Sequence, residues 1–235
     1  MPDVRPQSLY LLIGQSNMAG RGRAPAEVEG SPRVWAWSRS DSWVPARHPL
    51  HYDKPEAGVG PGLNCGVALA AADPQTVIGL IPSAVGGTSI RLWIPGMQDP
   101  VTKAHPYDDA VRRARLAMTS GRLAGILWHQ GEADRGPDQL PLYAAQLTTL
   151  VARLRTDLQA PTVPFIAGEL PHLNPRNTAQ TTAFNNVLHG LVGQIPHFSC
   201  VSAADLRDGG DQLHLDTASA EEFGRRYAAA VLAAV

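Results

Sequence analysis

At 235 residues, the chain has the length of one ordinary domain with a substantial core. A formal net charge of −1 argues against nucleic acid or an anionic membrane as its partner, and no apolar run reaches membrane-spanning length. Two cysteines, Cys65 and Cys200, make neither a disulfide framework nor a zinc spacing and are expected as two buried thiols, with a single bridge as the alternative.

The first apolar run, residues 10–13, is short and partly β-branched, and predicts a buried strand. It ends in Gly14-Gln15-Ser16-Asn17-Met18-Ala19-Gly20, where a turn into a helix sets the serine at the carboxyl edge of a sheet. Ser16 there is either a helix cap or a nucleophile with backbone N–H groups beside it. After a loop rich in arginine and proline, residues 33–37 alternate as a short strand, and residues 38–61 form a long irregular stretch. A helix is expected over 63–72 and a buried strand over 76–81. The strand runs into Gly86-Gly87-Thr88-Ser89, where paired glycines let backbone N–H groups approach a ligand or simply make a tight turn. Trp93 follows, as a wall of the pocket or as core.

A helix over 108–118 carries Asp109 near its start and Arg115 near its end, matching the helix dipole. A third strand, 124–128, delivers His129-Gln130-Gly131-Glu132 to the same edge. Residues 140–158 keep one apolar stripe for five turns. A strand over 163–167, a loop over 169–177, a helix over 178–192, a strand over 198–202 and a helix over about 218–234 complete the chain. Strands alternating with helices imply a mostly parallel sheet with helices on both faces, in one domain. Residues 1–5 carry no basic region leading into an apolar stretch, so a cytoplasmic protein is expected, or a secreted one if a signal was trimmed.

Acyl transfer needs a nucleophile, a base, a group that orients the base and donors for the oxyanion. The four loops hold one set: Ser16, the Gly86–Gly87 backbone, Gln130 with Glu132, and Asp211 with His214. In Asp211-x-x-His214 the carboxylate can reach Nδ1 and leave Nε2 to the serine. The aspartates around His214 match no calcium loop, and no metal or other cofactor is expected. No phosphate-loop lysine motif or dinucleotide fingerprint is present.

Taken in order, the Gly14–Gly20 block, Gly86-Gly87-Thr88-Ser89, His129-Gln130-Gly131-Glu132 and Asp211-x-x-His214 resemble the SGNH-hydrolase superfamily. Within it they resemble the branch of carbohydrate esterase family 6 and the sialate O-acetylesterase domain, over nearly the whole chain. The resemblance implies a three-layer α/β/α, flavodoxin-like fold with a mostly parallel five-stranded sheet. It implies metal-free removal of O-acetyl groups from small or oligomeric sugar esters. It makes Ser16 the nucleophile and His214 the base, with Asp211 or Glu132 as the orienting acid. The oxyanion donors it implies are the N–H groups of Ser16 and of Gly87 or Gly86, and the Gln130 amide. Gln15 and Trp93 are the expected substrate contacts, Trp93 as a sugar-facing wall, with residues 38–61 and 169–177 shaping the leaving-group side. A general short-chain esterase and a non-catalytic sugar-binding module are the rival readings.

Overall fold

The computed structural model describes residues 6–23 and 30–234. The segment read for a targeting signal and part of the loop after Arg23 lie outside these residues.

Strand β1, Ser8–Gly14, is the sheet's central strand. Leu9, Leu11 and Ile13 face one layer, and Tyr10 and Leu12 the other. Both faces are covered, which is why its sequence reads as a continuous apolar run rather than an alternation. Burying each of its fully enclosed leucines contributes about 2 kcal/mol. A one-turn helix α1, Ser16–Ala19, follows. The rest of the sheet is β2, Val34–Trp37; β3, Trp43–Pro45; β4, Ile78–Pro82; β5, Arg122–His129; β6, Phe165–Gly168; and β7, Phe198–Val201.

The strand order is β3-β2-β4-β1-β5-β6-β7. The five strands β4-β1-β5-β6-β7, numbered among themselves, run 2-1-3-4-5, the flavodoxin-like order. All their pairings are parallel. The sheet has seven strands rather than the expected five. β2 adds in parallel beyond β4, and β3 pairs antiparallel with β2 at the edge. β3 is three residues long, largely exposed and ends in Pro45, so it carries no apolar signature.

Helices α3 (Pro106–Ala117), α4 (Leu140–Asp157) and α5 (Thr178–Leu191) cover one face through Tyr107, Leu147, Leu150, Phe184 and Leu188. Helices α2 (Pro61–Ala72) and α6 (Thr217–Ala233) cover the other through Leu63, Leu69, Phe223 and Tyr227. The three layers are the expected ones. Cys65 is buried and Cys200 half-buried, and both are free thiols. No helix among the described residues is long and apolar enough to cross a membrane.

The chain order reverses between β1 and β5, and that crevice is where open α/β sheets bind ligands. Here the two strands come close. Gln15 N–H donates to His129 O at 2.8 Å, and a Cβ on Gly14 would run into that same carbonyl. Gly14 has φ +126°, so glycine is required on both counts.

The stretch before α2 carries a pH-sensitive element of stability. His51 is 3% exposed. Burial pushes its imidazole down to about 4; Asp53 opposes that, and Arg113 and Arg21 reinforce it. A histidine whose pKa is depressed in the fold stabilises above its unfolded value near 6.5. That contribution drains as pH falls toward the folded value. For His51 it amounts to about 3 kcal/mol. Urea unfolding at pH 7 and pH 5 should show lower stability at pH 5. His51→Gln should flatten that acid slope; an unchanged slope would assign it to other groups.

Candidate active site

Ser16 follows β1 as the first residue of α1, and His214 comes from the loop between β7 and α6. The two meet with Nε2 3.1 Å from Ser16 Oγ. On the other side of the ring, Nδ1 lies 2.7 Å from Asp211 Oδ2. Asp211 Oδ1 accepts the N–H groups of Leu213 at 2.9 Å and His214 at 2.8 Å, so one carboxylate closes the turn and holds the ring. Burial pushes the Asp211 carboxyl up, but the hydrogen bonds from His214 and Leu213 outweigh it and hold the group below the usual carboxylate range.

Glu132 does not touch His214. Its Oε1 accepts Asn17 Nδ2 at 2.6 Å. The same Nδ2 donates to Leu213 O at 3.1 Å, and Asn17 Oδ1 accepts Leu215 N–H at 3.0 Å. Asn17 thus grips the chain on both sides of His214, and Glu132 holds Asn17. Asn17 had no role in the sequence reading, although it directly follows the serine. A polar side chain inside an apolar-flanked block was the available signal.

Gln130 departs from its expected place. It is fully buried. Its Nε2 donates to Thr88 O at 3.1 Å, to Gln15 Oε1 at 3.2 Å and to Asp134 Oδ2, while its Oε1 accepts Tyr143 O–H at 2.9 Å. An amide has two N–H donors, and these are already claimed by three acceptors, leaving none for an oxyanion. Gln15 takes the position facing the cleft. Its Oε1 is turned inward, toward Gln130 Nε2 and Gly131 N–H, which orients its NH₂ group the other way.

The glycine pair is also sorted. Gly86 N–H donates to Asp53 Oδ2 at 2.8 Å. Gly87, with φ +84°, sits at the third position of a turn closed by Thr88 N–H on Val85 O at 3.4 Å. The cleft over these groups measures about 580 Å³ and is lined by Gln15, Ser16, Arg21, Lys54, Glu56, Gly86, Gly87, Glu132, Ala133, Asp211, Leu213 and His214.

Trp93 is not a wall of this cleft. It is 1% exposed, packs edge-on against Trp128 at 5.2 Å, and donates from Nε1 to Thr88 Oγ1 at 3.2 Å. A 3₁₀ turn over Ile90–Leu92 carries it inward, beneath the glycine loop. Residues 169–177 do not line the cleft either; Glu169 instead binds His189 and Ala203 N–H. Among the described residues, no three His, Cys, Asp or Glu side chains gather closely enough to hold a metal ion.

The layers, the strand order and a serine–imidazole–carboxylate contact at the switch point define the class: an α/β/α hydrolase. Comparison with known proteins gives the family. A family profile described as carbohydrate esterase, sialic acid-specific acetylesterase, matches residues 6–233. A probable carbohydrate esterase of Arabidopsis thaliana is 29% identical over 252 residues, covering 97% of this chain and 92% of that protein. An Arabidopsis thaliana crystal structure superposes with a TM-score of 0.86 at 28% identity, covering 97% of this chain and 98% of the other. Two more distant structures share the fold. NanS has a TM-score of 0.76 at 17% identity, covering 98% of each chain. Axe2, an acetylxylan esterase from Geobacillus stearothermophilus, has a TM-score of 0.55 at 16% identity, covering 96% of this chain and 94% of the other. The chain belongs to this carbohydrate esterase family, and its activity class is carboxylic ester hydrolysis.

Proposed function

We propose that this esterase removes O-acetyl groups from sugar hydroxyls through an acetyl-enzyme on Ser16. The observation that carries this reading is the continuous contact from Asp211 through His214 to Ser16, at 2.7 and 3.1 Å. Ser16 Oγ attacks the acetyl carbonyl carbon while His214 Nε2 takes its proton. The carbonyl oxygen becomes an oxyanion facing Ser16 N–H, Gly87 N–H and the Gln15 amide. The carbon–oxygen bond to the sugar then breaks, and His214 returns the proton to the departing hydroxyl. Water attacks the acetyl-enzyme through the same imidazole, freeing acetate and Ser16.

Substrate class is argued from the lining. Ala133 and Leu213 are the only apolar side chains with β-carbons among the described cleft residues, enough for a methyl group but not a long acyl chain. The charged Lys54 and Glu56 in the lining suit a leaving group rich in hydroxyls.

Release of acetate from O-acetylated xylo-oligosaccharides and O-acetylated sialic acid, followed by proton NMR, tests the reading alongside the 4-nitrophenyl esters of acetate, butyrate and octanoate. Acetate-selective turnover with sugar esters supports it. Preference for octanoate would make the protein a general esterase, and sugar binding without turnover a binding module.

The oxyanion assignment has its own test. Gln15→Glu keeps the shape and removes the donor, so kcat should fall about 10²-fold with little change in KM. Gln130→Leu removes the buried amide's bonds to Asp134, Thr88 O and the Tyr143 hydroxyl, which keep only their remaining partners, so its main effect should be on melting temperature. Unchanged kcat in Gln15→Glu would remove Gln15 from the oxyanion site.

A further inference from the structure

The glycine turn is held from behind by an ion pair that the catalytic assignment does not use. Arg21 Nη2 meets Asp53 Oδ2 at 2.8 Å, with side chains 8% and 2% exposed. Arg21 Nη1 donates to Gly20 O at 2.7 Å, at the end of the serine block. The same Asp53 oxygen accepts Gly86 N–H at 2.8 Å. One buried carboxylate oxygen therefore joins the serine loop to the glycine loop. A Cβ on residue 86 would lie 2.3 Å from Arg21 Nη2 and 2.9 Å from Asp53 Oδ2, so a larger residue there would displace the pair.

We infer that the Arg21–Asp53 pair is a positioning device that aims Gly87 N–H into the oxyanion site. This rests on the acyl-transfer reading above. Two successive glycines leave the turn's central peptide free to rotate. In a turn of this kind, reversing that peptide exchanges N–H for C=O. The Gly86 carbonyl would then face the cleft, where it repels an oxyanion. Asp53 removes this freedom by fixing the preceding peptide, and Arg21 ties Asp53 to the chain that carries Ser16. Neither side chain touches the reacting atoms. Their effect is on which group the cleft presents when charge develops.

The test compares Asp53→Ala, Asp53→Asn and Arg21→Met with wild type and Ser16→Ala. Each is assayed for kcat and KM on 4-nitrophenyl acetate, for inhibition by methylboronic acid, which forms a tetrahedral serine adduct, and for melting temperature. Asp53→Ala should lower kcat about 10- to 100-fold, bounded by the loss of one oxyanion donor, with KM nearly constant. Boronate affinity should fall in step with kcat. Asp53→Asn, whose amide oxygen still accepts Gly86 N–H, should recover part of both.

A merely structural pair would lower melting temperature while leaving kcat per folded molecule and boronate affinity at wild-type values; that result overturns the inference. Should Asp53→Ala not fold, Asp53→Asn and Arg21→Met decide by the same two readouts, together with the Gly86 and Gly87 amide proton shifts. Wild-type kcat and shifts in both variants would likewise overturn it. If Ser16→Ala keeps full activity, the acyl-transfer reading itself fails. If Ser16→Ala is inactive while the Asp53 variants match wild type, only the positioning role falls.

Discussion

Replacing Ser16 with alanine is expected to lower kcat for 4-nitrophenyl acetate by about four orders of magnitude or more. The serine is 6% exposed and fixed by a one-turn helix, so no neighbouring water or side chain inherits its position at once. Catalysis should not drop to the rate in water. The backbone donors proposed at residues 16 and 87 survive the change, and binding plus oxyanion stabilisation alone leave about 10³-fold over solution in triad enzymes. His214→Ala should cost nearly as much, and the double variant little more than either single one, because nucleophile and base act as one unit. A sulfonyl fluoride should label wild type at one residue, read by mass spectrometry, and fail to label Ser16→Ala. Turnover within tenfold of wild type in Ser16→Ala would remove the serine from the mechanism.

The contact of Ser16, His214 and Asp211 was legible because these residues are close in sequence or end a strand. Asp211 and His214 are three apart, and a carboxylate that closes its own turn lies within reach of the ring. Ser16 follows a short apolar, partly β-branched run that reads as a buried strand. The oxyanion half was less legible, because an amide's direction depends on which of several near and distant partners claim it. Gln130 looked like a donor at a strand end. Its amide instead turns inward because Asp134, Thr88 O and Tyr143 surround it, and these come from three different segments. Gln15 then takes the cleft because its oxygen is captured from behind. Trp93 shows the same limit. Its distance after the glycine loop fits wall or core equally, and the 3₁₀ turn at Ile90–Leu92 decides for core. In the fold, the five strands with apolar runs and the parallel order they require were readable, whereas β3 is too short and exposed to leave a pattern.

The choice between the two acids gives the second large effect. Asp211→Asn should lower kcat on the order of 10³-fold, somewhat less than the roughly 10⁴ known where the triad acid is fully buried. The Asp211 side chain is about half exposed, 52%, so water replaces part of its electrostatic contribution. What water cannot replace is the tautomer. Asp211 Oδ2 accepts a hydrogen bond from Nδ1–H, which leaves the Nε2 lone pair toward Ser16. An asparagine amide can donate to Nδ1 instead, which puts the proton on Nε2 and disables the base. Glu132→Gln should cost less than about tenfold, because an amide oxygen still accepts from Asn17 and the Asn17 grip on residues 213 and 215 survives. The pH profile adds an independent check. The hydrogen bonds from His214 and Leu213 hold the Asp211 carboxyl below its ordinary value, so its orienting charge is kept to lower pH than on a free aspartate. Asp211→Asn should therefore be impaired across the whole pH range in which the wild type is active. A larger loss in Glu132→Gln than in Asp211→Asn would reverse the assignment and make Glu132, acting through Asn17 and the loop it holds, the group on which the base depends.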